Sequence, residues 1–216
     1  MAVLRADARR NRDLIIATAK EIFVESGLDV PMENIARRAG VGVGTLYRRF
    51  PDRGELIAAV AAQVFGSVLT DLRAARDEEP NAWEAFTRLV TRSEDLRVTW
   101  HLAFPSGRAW TMVHAAPESR DVHRDMMAAL DELVRDAQAE GSIRADVGPG
   151  DVLILVSIVL GTHLASSDPA GQVRSERSLL LALDGLRAVP GSVLPGAPVS
   201  TEELGWSVAE GDFDNA

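Results

Sequence analysis

The chain has 216 residues, enough for one large or two modest domains, and its 46% hydrophobic and 25% charged residues are ordinary for a globular protein. It contains no cysteine, which excludes disulfides, thiolate metal sites and cysteine nucleophiles. The net charge of −9 is uneven: residues 1–50 hold nine basic and six acidic side chains, while the remainder hold fourteen and twenty-six, so a positive end precedes an acidic bulk that would repel phosphate.

The N-terminus, MAVLRADARRNRD, lacks the apolar core of a secretory signal. No stretch reaches the roughly 18 consecutive apolar residues of a membrane span. The expectation is a cytoplasmic protein with no membrane partner. Residues 8–27 read as a first helix, with Leu14, Ile15, Ala19, Ile22 and Phe23 as its apolar stripe and Gly27 as its cap. Arg5, Arg9, Arg10 and Arg12 stand at its start. They suit either a solvated terminus or an arm along DNA. Pro31 opens a second helix, where a missing N–H does no harm.

The segment Ile35–Phe50, IARRAGVGVGTLYRRF, then reads as helix, tight turn, helix. Ile35, Ala36 and Ala39 give the first an apolar edge, Gly40 supplies a left-handed cap, and Val41 is expected to be buried in the turn. Leu46 and Phe50 recur at helical spacing on one face of the second helix. The opposite face carries Thr45, Arg48 and Arg49, with Tyr47 at its side. Two helices joined by a glycine turn, the second basic and outward-facing, describe a DNA-binding helix-turn-helix.

Pro51 ends that helix, and Asp52 with Glu55 is placed to cap the next, running from about Arg53 to Asp77. The pattern stays helical from Asn81 to Glu140, with Pro105–Pro117 a short helix or an irregular loop, and Gly141 a stop. Residues 149–165 are apolar nearly all round and residues 177–188 include SLLLALDGL. A helix apolar on every side must be covered on every side, either wholly within a monomer or partly by a partner. The tail, 190–216, is rich in Pro, Gly and Ser, then acidic, and is expected to be disordered. The fold class is all-α.

Through both flanks, MENIARRAGVGVGTLYRRFPDRGELI resembles the DNA-binding signature of the TetR family of transcriptional regulators. The I-A-x-x-A-G-V turn, the T-L-Y core and F-P-D-R-x-E-L-I carry the likeness, which covers about a quarter of the chain. The resemblance implies a three-helix helix-turn-helix domain over 1–52, a helical effector-binding and dimerisation bundle over 53–189, and the tail. It implies a homodimeric repressor on a palindromic operator in double-stranded DNA, released by an unidentified small molecule. The alternative is a ligand-independent DNA-binding or partner-binding helical dimer.

By the same resemblance Tyr47, Arg49 and Arg53 are phosphate ligands, Gly42 and Gly44 permit close approach, and Arg37 and Arg38 are secondary phosphate contacts. Val43, Thr45 and Arg48 are the base readers: guanidinium to guanine, methyl groups to thymine methyl. Family members often carry serine or lysine where Gly42 and Val43 stand, so polar side-chain contacts are missing at this turn. Trp83, Phe86, Trp100, His101, Phe104, Trp110, Met112 and His114 form a candidate effector pocket, aromatic walls with a few polar points, although aromatics at helical spacing also build ordinary cores. Leu153, Val156, Val159, Leu160, His163, Leu180 and Leu183 are candidates for a twofold interface.

No enzyme is expected. His101, His114, His123 and His163 lack ligand-like spacing, no G-x-S-x-G nucleophile motif occurs, and neither metal nor cofactor is implied.

Overall fold

The computed structural model describes residues 2–103, 107–163 and 169–188, together with residues 194 and 198. Among them are α1 (Ala2–Ser26), α2 (Met32–Arg38), α3 (Val43–Arg49), α4 (Arg53–Glu78), α5 (Ala82–Arg92), α6 (Glu94–Ala103), α7 (Gly107–Ala115), α8 (Pro117–Ala139), α9 (Pro149–His163) and α10 (Pro169–Leu186). The fold is all-α. Extended pairing among the described residues is limited to an isolated antiparallel bridge between Ile143 and Arg187. The tail beyond 188 lies outside the described residues, except for Leu194 and Pro198.

The chain forms two compact units. One joins Met1–Ser67 to Val98–His123; the other joins Val68–Arg97 to Arg124–Ala216. This grouping differs from a boundary at residue 52, because the first half of α4 packs with the N-terminal helices and with α7. Ile57, Val60, Ala61, Val64 and Phe65 are all buried, and Gly54 is so close to Met112 that an added Cβ would lie 3.6 Å from its Cγ.

In the first unit, α2 and α3 have seven residues each, too short to persist alone. They persist because α2 packs on α1 and on α3, and because Ile35, Leu46 and Leu56, like Ile15, Ala19 and Phe23 of α1, are buried in the interior. Each such aliphatic side chain contributes roughly 1.5–3 kcal/mol by leaving water. α1 begins at Ala2 rather than near residue 8, since nothing between Ala2 and Ser26 is glycine or proline. Leu14 is 47% exposed, so the buried stripe uses Ile16 instead. Asp52 accepts the Glu55 N–H at 2.9 Å, as a cap should.

In the second unit, Leu72, Phe86, Leu89, Leu133, Val134, Val152 and Leu183 form the core. Arg76 of α4 reaches Glu132 at 2.9 Å and Asp136 at 2.7 Å on α8. Asn81 caps α5 by accepting the Glu84 N–H, and the Ser93 hydroxyl donates to Asp71 at 2.7 Å. After Gly141 the chain runs beside the end of α10, where Arg144 N–H donates to Leu186 carbonyl and Ala188 N–H to Ser142 carbonyl. By length and composition α4 could cross a bilayer, unlike the expectation from consecutive apolar residues alone. More than half of its apolar window, 56%, is buried inside the protein, which is the behaviour of a core helix.

Candidate DNA-binding surface

The turn between α2 and α3 is fixed by backbone alone. Ala39 ends α2, Gly40 adopts φ +67°, its N–H donates to Arg37 carbonyl at 3.2 Å, and Val41 N–H donates to Ala36 carbonyl at 3.0 Å. This is the paired 5→2 and 6→1 closure in which a left-handed residue turns the chain out of a helix. Val41 is half-buried rather than buried. Gly42 is extended at the N-cap of α3, and its carbonyl accepts from Thr45 and Leu46. A Cβ on Gly44 would meet nothing within 4 Å, so its lack of a side chain keeps a surface clear instead of relieving a clash.

Leu46 and Phe50 point inward, which turns the rest of α3 outward. Val43 is 42% exposed, Arg48 and Arg49 are exposed, and Thr45 is half-buried. Among the described residues no carboxylate lies within ion-pairing distance of Arg48 or Arg49. Other expected contacts are already engaged. Tyr47 donates its hydroxyl to Glu33 at 3.0 Å. The Glu33 carboxyl is held below its usual range by its own backbone N–H and by Tyr47, and the Tyr47 phenol is pushed up because its proton is shared. Arg37 donates to Asn34 within α2.

Three arginines serve the scaffold. Arg38 forks onto Glu25 of α1 at 2.5 and 2.7 Å, which raises the guanidinium and lowers the carboxyl. Arg53, expected as a phosphate ligand, is half-buried, donates to Leu28 carbonyl at 3.1 Å and lies 3.6 Å from Asp29. It ties the start of α4 to the α1–α2 loop. Arg12 sits over the Phe50 ring at 5.9 Å, so this member of the basic N-terminal group braces the end of α3.

The described members of the expected effector set, Trp83, Phe86, Met112 and His114, fall in different surroundings. Trp83 is covered by the Arg187 guanidinium, 4.5 Å from its ring, and also lies tilted against Phe86 at 6.1 Å. Phe86 is buried and borders an apolar cavity of about 20 Å³, room for little more than a water. His114 packs edge-on against His123 at 5.1 Å, and His123 packs on Phe65 at 5.0 Å. Burial, and then His114, push the His123 imidazole down to about 3, so it is neutral in the folded protein. Met112 lines a separate cleft beside Gly54. Phe104 and the side chains of Trp100, His101 and Trp110 lie outside the described residues.

α9 packs on α10, and the residues expected at the interface divide between inward and outward positions. Val156 and Leu183 turn inward at 7% and 3% exposure, Leu153 and Val159 are half-buried, and Leu180 faces out at 48%. Among the described residues, the other exposed large apolar side chains are Ile154 and Ile158 on α9 and Val173 and Leu181 on α10. The side chains of Leu160 and His163 lie outside the described residues. Because α9 is apolar all round, its sequence could not have told which aliphatic residues point inward. On α10, Leu181 stands eight residues after Val173, a helical repeat that would have marked the outer face.

An all-α protein with a short outward cationic helix behind a glycine turn is, by architecture, a helix-turn-helix DNA-binding protein. Residues 15–60 match the family described as "Bacterial regulatory proteins, tetR family", and residues 103–188 match "Transcriptional regulator SbtR-like, C-terminal domain". The TetR transcriptional regulator SCO0520 of Streptomyces coelicolor is 34% identical with a TM-score of 0.59, covering 82% of this chain and 98% of that one. A TetR regulatory protein of Mycobacterium vanbaalenii is 33% identical with a TM-score of 0.58, covering 85% and 99%. An HTH-type transcriptional regulator of Staphylococcus aureus strain USA300 is 33% identical over 82 residues, 38% of this chain and 44% of that protein, so the chain spans under half of that relative. The chain belongs to the TetR family and is a DNA-binding transcriptional regulator. Its homologues are regulators, not enzymes, and the family binds DNA and acts as dimers.

Proposed function

We propose that this regulator is a homodimeric repressor of the cytoplasm that binds a palindromic operator and is released by a small-molecule effector. The observation that carries the dimer is the run of exposed aliphatic side chains, Ile154 and Ile158 on α9 with Leu180 and Leu181 on α10, on two helices packed together. Exposed branched residues grouped in this way favour burial against an identical face. A twofold pair of α3 helices then reads two half-sites. In each, Arg48 donates to guanine, Val43 and Thr45 meet a thymine methyl, and Tyr47, Arg49 and Arg37 meet phosphates. Gly42 and Gly44 keep the start of α3 clear for the duplex.

The 20 Å³ cavity beside Phe86 favours a second reading, a helical dimer with no ligand in that core. Tryptophan emission, followed while candidate compounds weaken duplex binding, separates the two. Selection of bound duplexes from a random library tests the main reading. A twofold-symmetric consensus is expected; enrichment of a single asymmetric half-site by a sedimenting monomer would overturn it.

A further inference from the structure

The first compact unit contains a cleft of about 850 Å³ bounded by α1, the α3–α4 turn, the start of α4 and the α7–α8 turn. That volume is within the range of small-molecule sites. Its chemistry is specific. One wall is a flat surface of small side chains, Ala58, Ala59 and Ala62 on α4, faced by Met112 on α7. Another is the first turn of α8, where Ala116 occupies the capping position and has no side-chain acceptor. Pro117 has no N–H, and the first intrahelical bond is from Arg120 to Ala116 carbonyl, which leaves the Glu118 and Ser119 N–H groups without intrahelical acceptors.

Ser119 supplies the second, independent sign. It is fully buried, it lines the cleft, and its hydroxyl has no hydrogen-bond partner. An orphaned buried hydroxyl is costly, and a ligand acceptor would relieve it. Two N–H groups, one hydroxyl and a helix N-terminus together make a receptor for one carboxylate. Arg12, half-buried, and Arg49, exposed at the end of α3, lie on the same cleft. Arg53 also lines it but is committed to Leu28 and Asp29. Asp52, Glu55 and Glu118 are exposed around the rim. Three rim carboxylates disfavour phosphate esters and other multiply charged anions, while Arg12 and Arg49 on the same cleft offset that repulsion for an occupant with a single charge.

We propose that this cleft binds a small aromatic monocarboxylic acid, its ring on the alanine wall of α4 and its carboxylate on the Ser119 hydroxyl and the first turn of α8. Because Arg49 belongs to the DNA-facing helix, an occupant that engages it withdraws a phosphate contact directly. That consequence rests on the effector-controlled reading above; the binding itself does not.

Benzoate is the probe, titrated into the full chain without DNA by calorimetry or ligand-detected NMR, with benzyl alcohol and benzylamine as controls. Benzoate binds with a Kd on the order of 1 mM or tighter. Benzyl alcohol binds about tenfold more weakly and benzylamine more weakly still. Ser119→Ala weakens benzoate about tenfold or more while the ligand-free melting temperature does not fall, since the orphaned hydroxyl is gone. Ala59→Phe, at a half-exposed position of the wall, blocks benzoate independently. Equal binding of benzoate and benzyl alcohol, no benzoate binding, or unchanged affinity in both variants overturns the proposal. A parallel duplex titration reads the regulatory consequence: benzoate that binds as described but leaves duplex affinity unchanged keeps the site and removes effector control through it.

Discussion

Two helices present opposite chemistry to the outside. α3 has seven residues, buries Leu46, and exposes guanidinium groups that no described carboxylate holds. α9 has fifteen residues, buries Val152 and Val156, and exposes Ile154 and Ile158. The first surface is soluble by itself and gains a partner only through charge and hydrogen bonds, so salt must weaken what it binds. Exposing the second surface to water costs free energy whether or not DNA is present, so its partner should be permanent. On the proposed reading, one face serves a transient contact and the other a lasting one.

The most severe way to break this contrast is to charge the lasting face. Ile158→Asp should produce a monomer by analytical ultracentrifugation and reduce affinity for a twofold duplex by about a hundredfold or more, because two half-sites no longer act together. A variant that stayed dimeric would place the interface elsewhere. Removing the anchor of the other helix comes next. Leu46→Ala should cost about 3 kcal/mol in denaturant unfolding, with the loss concentrated in the first unit. Arg48→Ala should leave the fold intact and relax one base position of the selected consensus by about 2 kcal/mol.

Acid tests the interior. The unfolded chain protonates His123 near 6.5 and the folded chain only near 3. Stability is therefore complete above 6.5 and falls by about 1.4 kcal/mol per pH unit as the pH drops toward 3. His123→Phe should remove that share of the slope in pH-dependent melting. The smallest effect is expected at Glu33: Glu33→Gln should raise affinity for every duplex by about threefold at low salt, read by fluorescence anisotropy.

The first helices were legible because their signals are local. Gly40 must turn the chain left-handed, Asp52 must cap, and Leu46 and Phe50 lie four apart on one face, all of which the structure contains. What could not be read were contacts between residues distant in sequence. Nothing near Arg53 says that it will spend its charge on Leu28 carbonyl, 25 residues earlier, or that Tyr47 will find Glu33, 14 residues back. The inward register of α9 was hidden for another reason: a helix apolar all round has no face to phase it. Trp83 was similarly undirected: its ring is covered by the guanidinium of Arg187, 104 residues later.

The Glu33 carboxylate beside Tyr47 also bears on how the regulator finds its site. An exposed acid at the edge of the DNA face repels every phosphate alike, so it weakens the grip on arbitrary sequence and on an operator by similar factors. A chromosome, however, offers on the order of a million or more arbitrary sites for each operator. Loosening them all shortens every fruitless stop and returns protein to the free pool faster. On the proposed assignment of Tyr47 as a phosphate ligand, its hydroxyl leaves Glu33 only when a phosphate takes its place, so each stop must first displace that hydrogen bond. On that reading the regulator gives up some strength at its destination for speed in reaching it.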